Sequence, residues 1–179
     1  MKSLKNKTVL ITGATDGLGK LVARHMANAG ATLIVHGRNR EKGKRTVEEI
    51  ISETGNKTVS YYNADFASLE EVAQFSKEIK NNYKHLNILI NNAAVGGGPK
   101  DRQQRQLSKD GFELRFAVNF LAHFLLTQNL LPLMLHSMPS RIVMVSSIGQ
   151  SPLDFDDLMM EKHYDSFEAY CRSKLAQII

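Results

Sequence analysis

Residues 8–20 read TVLITGATDGLGK, and this stretch decides the fold. A short β-branched and apolar run over 8–12 passes into a turn with glycines at 13, 17 and 19, then into a helical pattern over 17–29. Glycine permits a tight turn and lets backbone approach a neighbour with no Cβ in the way. The helix that follows offers free N–H groups and the positive end of its dipole, which suits a pyrophosphate. Many strand-to-helix turns carry glycine for packing alone. A Gly-rich turn after the first strand of a βα series, however, is the context in which dinucleotides bind. The spacing is Gly, three residues, Gly, one residue, Gly, and so differs from GxGxxG.

The rest of the chain supplies that series. Strand-like runs over 32–36, 58–62, 86–90 and 141–145 alternate with helical patterns over 41–53, 69–82 and 112–135. A last helix is expected to start at Ser166 and to run to the end of the chain. Ser68, followed three residues later by Glu71, forms a capping box for the 69–82 helix. Strands this apolar, with helices between them, predict an α/β fold: a doubly wound parallel sheet, Rossmann-like, covered on both faces. The loop over 95–109 is rich in glycine and charge, and it is expected to be mobile. Phe112, Phe116, Phe120 and Phe124, four apart, read as a core or packing stripe.

Bulk properties exclude several classes. At 179 residues, 42% hydrophobic and 23% charged, the chain suits one globular domain that buries about 70% of its unfolded surface. The net charge of +5 and pI near 9.3 are spread along the sequence. The densest stretch, RNREKGKR at 38–45, contains a glutamate and no interleaved aromatics, which fits a helix start or a phosphate contact better than a nucleic-acid groove. The single cysteine, Cys171, excludes an internal disulfide framework and suits a reducing, cytoplasmic setting. The N-terminal MKSLKNKTVLITG has no apolar signal core, and no run approaches 18 apolar residues, so neither export nor a membrane span is expected. His36, His123, His136 and His163 have no ligand spacing, and no metal is expected.

The chemistry lies near the end. In YCRSK, Tyr170 and Lys174 stand four apart, so a helix projects both from one face. A phenol beside an ammonium can lose its proton well below the reference value near 10. That suits taking a proton from an alcohol, or returning one to a carbonyl, near neutral pH. The spacing by itself is common on helices; its value comes from the paired Ser146-Ser147 upstream and the glycine turn at the other end of the chain.

TGATDGLG, Asp65 in NADF, NNAA at 91–94, Asn119 in VNFLAHF, Ser147 in VMVSSIG, and YCRSK occur in one order at compatible intervals. Together they resemble the short-chain dehydrogenase/reductase family. The turn is similar to that of the ordinary members rather than the extended epimerases with TGxxGxxG. GFELRFAVNFLAHFLLT and AYCRSKLA look closest to the retinol dehydrogenase and protochlorophyllide reductase-like branch. The resemblance implies strand order 3-2-1-4-5 for the part present, and an oxidoreductase that moves hydride between NADP(H) and a carbonyl or alcohol of a small, apolar substrate. It implies catalytic roles for four residues: Tyr170 as proton donor or acceptor, Lys174 as its electrostatic support and a ribose contact, Ser147 as holder of the substrate oxygen, and Asn119 as the residue that distorts the long helix and holds a relay water. Cofactor contacts are implied for Gly13, Thr15, Asp16, Gly17, Leu18, Gly19, Arg38, Asp65, Phe66, Asn92 and Ala93, besides Tyr170 and Lys174. A homo-oligomer built on the long helix and the YxxxK helix is also implied.

Cofactor choice follows from the end of the second strand, where Gly37 stands in place of the carboxylate that would hold a ribose 2′-OH, and Arg38 follows. A guanidinium without a neighbouring acid suits a 2′-phosphate, so NADP(H) is favoured over NAD(H), although Asp16 inside the turn argues the other way. Ala94 replaces the glycine usual in NNAG. The doubly wound order also calls for at least one more βα unit, about 30 residues. The expectation is therefore a single dinucleotide-binding domain over 1–179, C-terminally incomplete, lacking the C-terminal strands. A catalytically impaired, truncated nucleotide-binding module is the alternative.

Overall fold

The computed structural model describes residues 3–96 and 104–179, so the central part of the 95–109 loop lies outside the described residues. Five strands alternate with five helices in chain order: β1 Thr8–Ile11, α1 Gly17–Asn28, β2 Thr32–Gly37, α2 Arg40–Thr54, β3 Val59–Asn63, α3 Leu69–Asn82, β4 Ile88–Asn91, α4 Leu114–His136, β5 Arg141–Met144 and α5 Ser166–Ala176. All strand pairs are parallel, in the order β3-β2-β1-β4-β5, with Leu10 opposite Ile34 and Leu89, and Asn91 opposite Met144. The chain leaves β1 toward β2 and β3 on one side and returns to β4 and β5 on the other. The crevice between the carboxyl ends of β1 and β4 is therefore the topological switch point.

Period-two alternation sorts the strand side chains into two cores. Leu10, Ile34 and Leu89 pack with Val72, Phe75 and Ile79 of α3 and with Leu126, Leu130 and Met134 of α4. Val9, Ile11, Leu33 and Val35 pack on the other face with Ala23 and Ala27 of α1 and Ile50 of α2. Local chemistry sets the helix ends. Asp16 accepts from the Gly17 N–H, Asn39 from Lys42, Ser68 from Glu71 and Asp165 from Glu168, while Gly55 closes α2 at φ +69°. The expected capping box of α3 is half formed, since Glu71 reaches back to the Asp65 N–H rather than to Ser68.

Two features depart from the sequence pattern. All four residues of β5 are exposed, so the sheet is covered on both faces only as far as β4. The phenylalanine series is a packing stripe but not the core stripe of α4: its rings tilt against one another from buried Phe116 through Phe120 to Phe124, which is 55% exposed. The buried face is Val118, Ala122, Leu126, Leu130 and Met134, also four apart. As the resemblance implies, α4 is distorted at Asn119, where it contains a π turn at Ala117–Leu121. By length and mean hydropathy (1.3), α4 is the one helix among the described residues able to cross a membrane, yet this buried face packs on α3.

Truncating Leu126 to alanine is expected to lower stability by about 2–5 kcal/mol, as for a filled core site. Phe124→Ala is expected to stay within about 0.5 kcal/mol. Urea midpoints of the two variants check which stripe is the core.

Candidate active site

The glycine turn is shaped by contacts that leave no room for side chains. A Cβ on Gly13 (φ +63°) would lie 2.7 Å from the Cα of Ala93, and one on Gly19 would lie 2.3 Å from the Gly13 carbonyl oxygen. Gly17 has open space but sits at φ +49°, a conformation that only glycine adopts without strain. Asn92 ties the turn to the end of β4 by donating its side-chain amide to the Thr12 and Gly13 carbonyls. The Thr12 hydroxyl accepts the backbone N–H groups of Asn92 (2.8 Å) and Ala93 (2.9 Å).

Above this turn lies a cleft of about 580 Å³. Of the residues expected to hold a cofactor, Gly13, Thr15, Asp16, Leu18, Gly19, Arg38, Asp65, Phe66, Asn92 and Ala93 line it, whereas Gly17, Tyr170 and Lys174 do not. Ala94 also lines it and keeps a negative φ, so the extra methyl brings no backbone strain. A Cβ on Gly37 would lie 2.6 Å from the Thr15 methyl, which leaves no space for a longer acidic side chain. Arg38 is exposed at the mouth and has no ion pair among the described residues. Asp16 is paired with Lys42 at 2.5 Å, and that ammonium, with the Gly17 N–H, holds its carboxyl below the usual range. The expected cost of Asp16 to a phosphate is thus offset by a cation in place.

Sequence reasoning missed the cleft's floor. His36, buried at the end of β2, stacks on Phe66 with centroids 4.2 Å apart. Its Nε2 donates to the Ala64 carbonyl (3.0 Å), which leaves Nδ1 to accept from the Gly13 N–H (3.3 Å). Burial pushes this ring down to about 3, so it is neutral. His123 meets Phe66 edge-on at 5.4 Å, and burial pushes it down to about 4. Neither role has a spacing signature, because each depends on strands and helices distant in sequence.

The second cluster forms around α5. Lys174 is 3% exposed, and its ammonium donates to the Val145 carbonyl (2.9 Å) and to Gln177 Oε1 (3.0 Å). It lies 5.9 Å from the centroid of the Tyr170 ring, as the spacing of four requires. Burial pushes the amine down to about 8. Ser146 donates its hydroxyl to the Lys174 carbonyl (2.9 Å) and so serves the helix backbone. Ser147 lies on the other side: a Cβ on Gly149 would be 3.5 Å from Ser147 Oγ and 3.7 Å from Tyr170 Cε1, so these two groups border one space. Asn119 is fully buried. Its Oδ1 accepts from the Val95 N–H, and its amide donates to the Val95 carbonyl and to Ser173 Oγ (2.8 Å). Both amide hydrogens are thus committed, so the side chain can meet a water only as an acceptor. Val95 and Val118 line the cleft, so Asn119 joins the cleft to the Tyr170–Lys174 helix. A buried pair, Glu113 and Arg115, also missed from sequence, bonds Tyr164 and ties the segment before α5 to the start of α4.

Comparison with known proteins bears on this geometry. The sequence profile described as short chain dehydrogenase matches residues 7–177. The chain is 39% identical over 180 residues to retinol dehydrogenase 13 of Mus musculus, covering 99% of this chain and 52% of the relative. It is 40% identical over 178 residues to retinol dehydrogenase 11 of Homo sapiens, covering 98% and 54%. It therefore spans about half the length of the curated relatives it matches. An uncharacterised protein from Mycobacterium paratuberculosis superposes with a TM-score of 0.84 at 32% identity, covering 99% of this chain and 61% of that one. A protein from Escherichia coli CFT073, described as a short chain dehydrogenase complexed with NADPH, superposes at 0.75 with 33% identity, covering 97% and 68%.

The two buried histidines set an acid limit on stability. Their folded values of about 3 and 4 lie below the unfolded 6.5, so between these limits the unfolded chain binds more protons and stability falls as pH falls. From pH 7 to pH 5 the loss is expected to be about 1–2 kcal/mol per histidine, read from urea denaturation at the two pH values. Stability that is flat across this range would contradict neutral rings.

Proposed function

The chain belongs to the short-chain dehydrogenase family, in its retinol dehydrogenase branch, and from that premise we propose that the protein is an oxidoreductase acting on a carbonyl or alcohol with NADP(H). The observation that carries the proposal is that Ser147 Oγ and the Tyr170 ring both border the space beside Gly149, with the buried Lys174 ammonium 5.9 Å from the centroid of that ring. Bound NADP(H) supplies or accepts the hydride at the carbinol carbon. Tyr170 hands its phenolic proton to the carbonyl oxygen in reduction and takes the proton back in oxidation. Lys174 favours the negative charge that this transfer leaves on the phenol oxygen. Ser147 donates a hydrogen bond to the substrate oxygen as charge develops there.

The cradle fits the cofactor. The approach allowed by Gly13 and Gly19 brings backbone N–H groups to a pyrophosphate, and Asp65, Phe66 and His36 form the wall expected to face the adenine. Arg38 is in place to fork onto a 2′-phosphate, with Lys42 beside it, and Gly37 leaves no acid to repel one. The NADPH complex of the Escherichia coli relative supports this choice over NAD(H). An apolar substrate is supported by the fully exposed Ile148 next to Ser147, by Phe167 stacked 6.4 Å from Tyr170, and by relatives named for retinol. Exposed Phe124 and Leu135 on α4, with Phe167 on α5, support a homo-oligomer.

In the full-length protein, Tyr170→Phe is expected to lower kcat by ~10²–10⁴-fold while NADPH still binds, measured by fluorescence titration and a panel of apolar aldehydes and ketones. Normal turnover by this variant would remove Tyr170 from the chemistry. Arg38→Ala is expected to weaken NADPH binding about 10-fold or more and to leave NADH nearly unchanged, from the loss of charge-assisted bonds. Equal loss for both cofactors would assign Arg38 elsewhere.

A further inference from the structure

His123 has no part in the chemistry described above, yet it is completely buried and both ring nitrogens are bonded. Nδ1 lies 3.0 Å from the Asn119 carbonyl, one turn back on α4. A carbonyl oxygen can only accept, so Nδ1 carries the proton. Nε2 lies 3.0 Å from Thr12 Oγ1 and, in a neutral ring, accepts from that hydroxyl. The hydroxyl's alternative acceptor, the Ile90 carbonyl, is farther away at 3.4 Å. Both lone pairs of Thr12 Oγ1 are taken by the Asn92 and Ala93 N–H groups. An imidazolium would bring a second N–H against an oxygen already filled, so the network selects one tautomer. Burial, with the Lys174 charge in the same direction, acts likewise.

These bonds join into one directed chain. Ala93 N–H donates to Thr12 Oγ1, whose proton goes to His123 Nε2, and His123 Nδ1–H goes to the Asn119 carbonyl. Asn119 then donates its amide to Ser173 Oγ, which donates to the Tyr170 carbonyl at 2.7 Å. One end is the glycine turn and the other is the helix that bears Tyr170 and Lys174. We propose that His123 is a positioning residue, which as the Nδ1–H tautomer holds the π turn at Asn119 against Thr12 and so fixes the spacing between the cofactor cradle and the Tyr170–Lys174 helix. The functional half of this proposal rests on the oxidoreductase reading; the hydrogen-bond half does not.

The test uses the full-length protein and three substitutions. His123→Phe keeps the ring and removes both nitrogens, His123→Asn restores an N–H near the position of Nδ1, and His123→Gln reaches only toward Thr12. Misplacement of about 1 Å can cost ~10²-fold in rate. His123→Phe is therefore expected to lower kcat 10- to 100-fold with the NADPH dissociation constant and substrate KM within about twofold of the parent. His123→Asn should recover more of kcat than His123→Gln. Unchanged kcat in folded His123→Phe, or a loss confined to melting temperature, would overturn the positioning role. A second readout needs no turnover: in the ¹⁵N imidazole spectrum, with His123 assigned by difference from the Phe variant, Nδ1 should be protonated and Nε2 bare from pH 8 down to 5. A protonated Nε2, or a ring titrating at its ordinary value near 6.5, would overturn the hydrogen-bond chain even if the protein has no activity. A parent that does not turn over while showing the expected tautomer would overturn the positioning role and the oxidoreductase reading, and leave the chain of bonds standing.

Discussion

The structure depends on a backbone contact that tolerates no side chain, that of Gly13 against Ala93, where a Cβ would come within 2.7 Å of the Ala93 Cα. The contact lies where β1 and β4 end and the chain has switched sides of the sheet. It draws the two strand ends together, so that Asn92 can reach the Thr12 and Gly13 carbonyls and the Thr12 hydroxyl can accept two N–H groups of the following turn. With those groups satisfied internally and the Gly17 N–H capped by Asp16, the next amides of α1, at Leu18 and Gly19, face the cleft end of the turn.

Beneath the cleft the protein buries polar rings rather than hydrocarbon alone. His36 and His123 both pack on Phe66, each neutral, and they hold opposite tautomers: Nε2–H on His36, Nδ1–H on His123. Each tautomer is dictated by a carbonyl that can only accept. A buried polar group is costly unless fully bonded, and here every ring nitrogen has a partner. The result is a rigid floor that links the glycine turn to the 64–66 segment on one side and to α4 on the other.

The parts legible in the sequence are those set by neighbours along the chain. The glycine turn, the cap at Ser68, the parallel order and the Tyr170–Lys174 pairing all follow from spacing, propensity or resemblance, whereas the Asn39 cap emerged only in the structure. The Phe116–Phe120–Phe124 series has a helical period but runs to the surface, because period alone does not say which face meets the sheet. The resemblance singled out Ser147, but the bond of Ser146 to the Lys174 carbonyl, 28 residues on in sequence, left no local pattern. The histidines stayed silent for the same reason: a ring that bonds across strand, loop and helix leaves no local pattern. Asn119 was legible as a distortion of α4, but its amide turned out to be committed to Val95 and Ser173.

In the proposed reaction, burial of Lys174 is what would turn a common helical spacing into chemistry. An exposed ammonium one turn from a phenol is screened by water and does little to its oxygen. Here the amine is 3% exposed, fixed by the Val145 carbonyl and Gln177, with its own backbone carbonyl held by Ser146. In that lower dielectric its charge is less attenuated than that of an exposed ammonium. The same burial brings the amine down to about 8, so it remains charged at neutral pH and loses that charge in mildly alkaline solution. In the proposed reaction, the support that Lys174 lends would be greatest while its amine is protonated and would weaken above about pH 8 as the ammonium disappears.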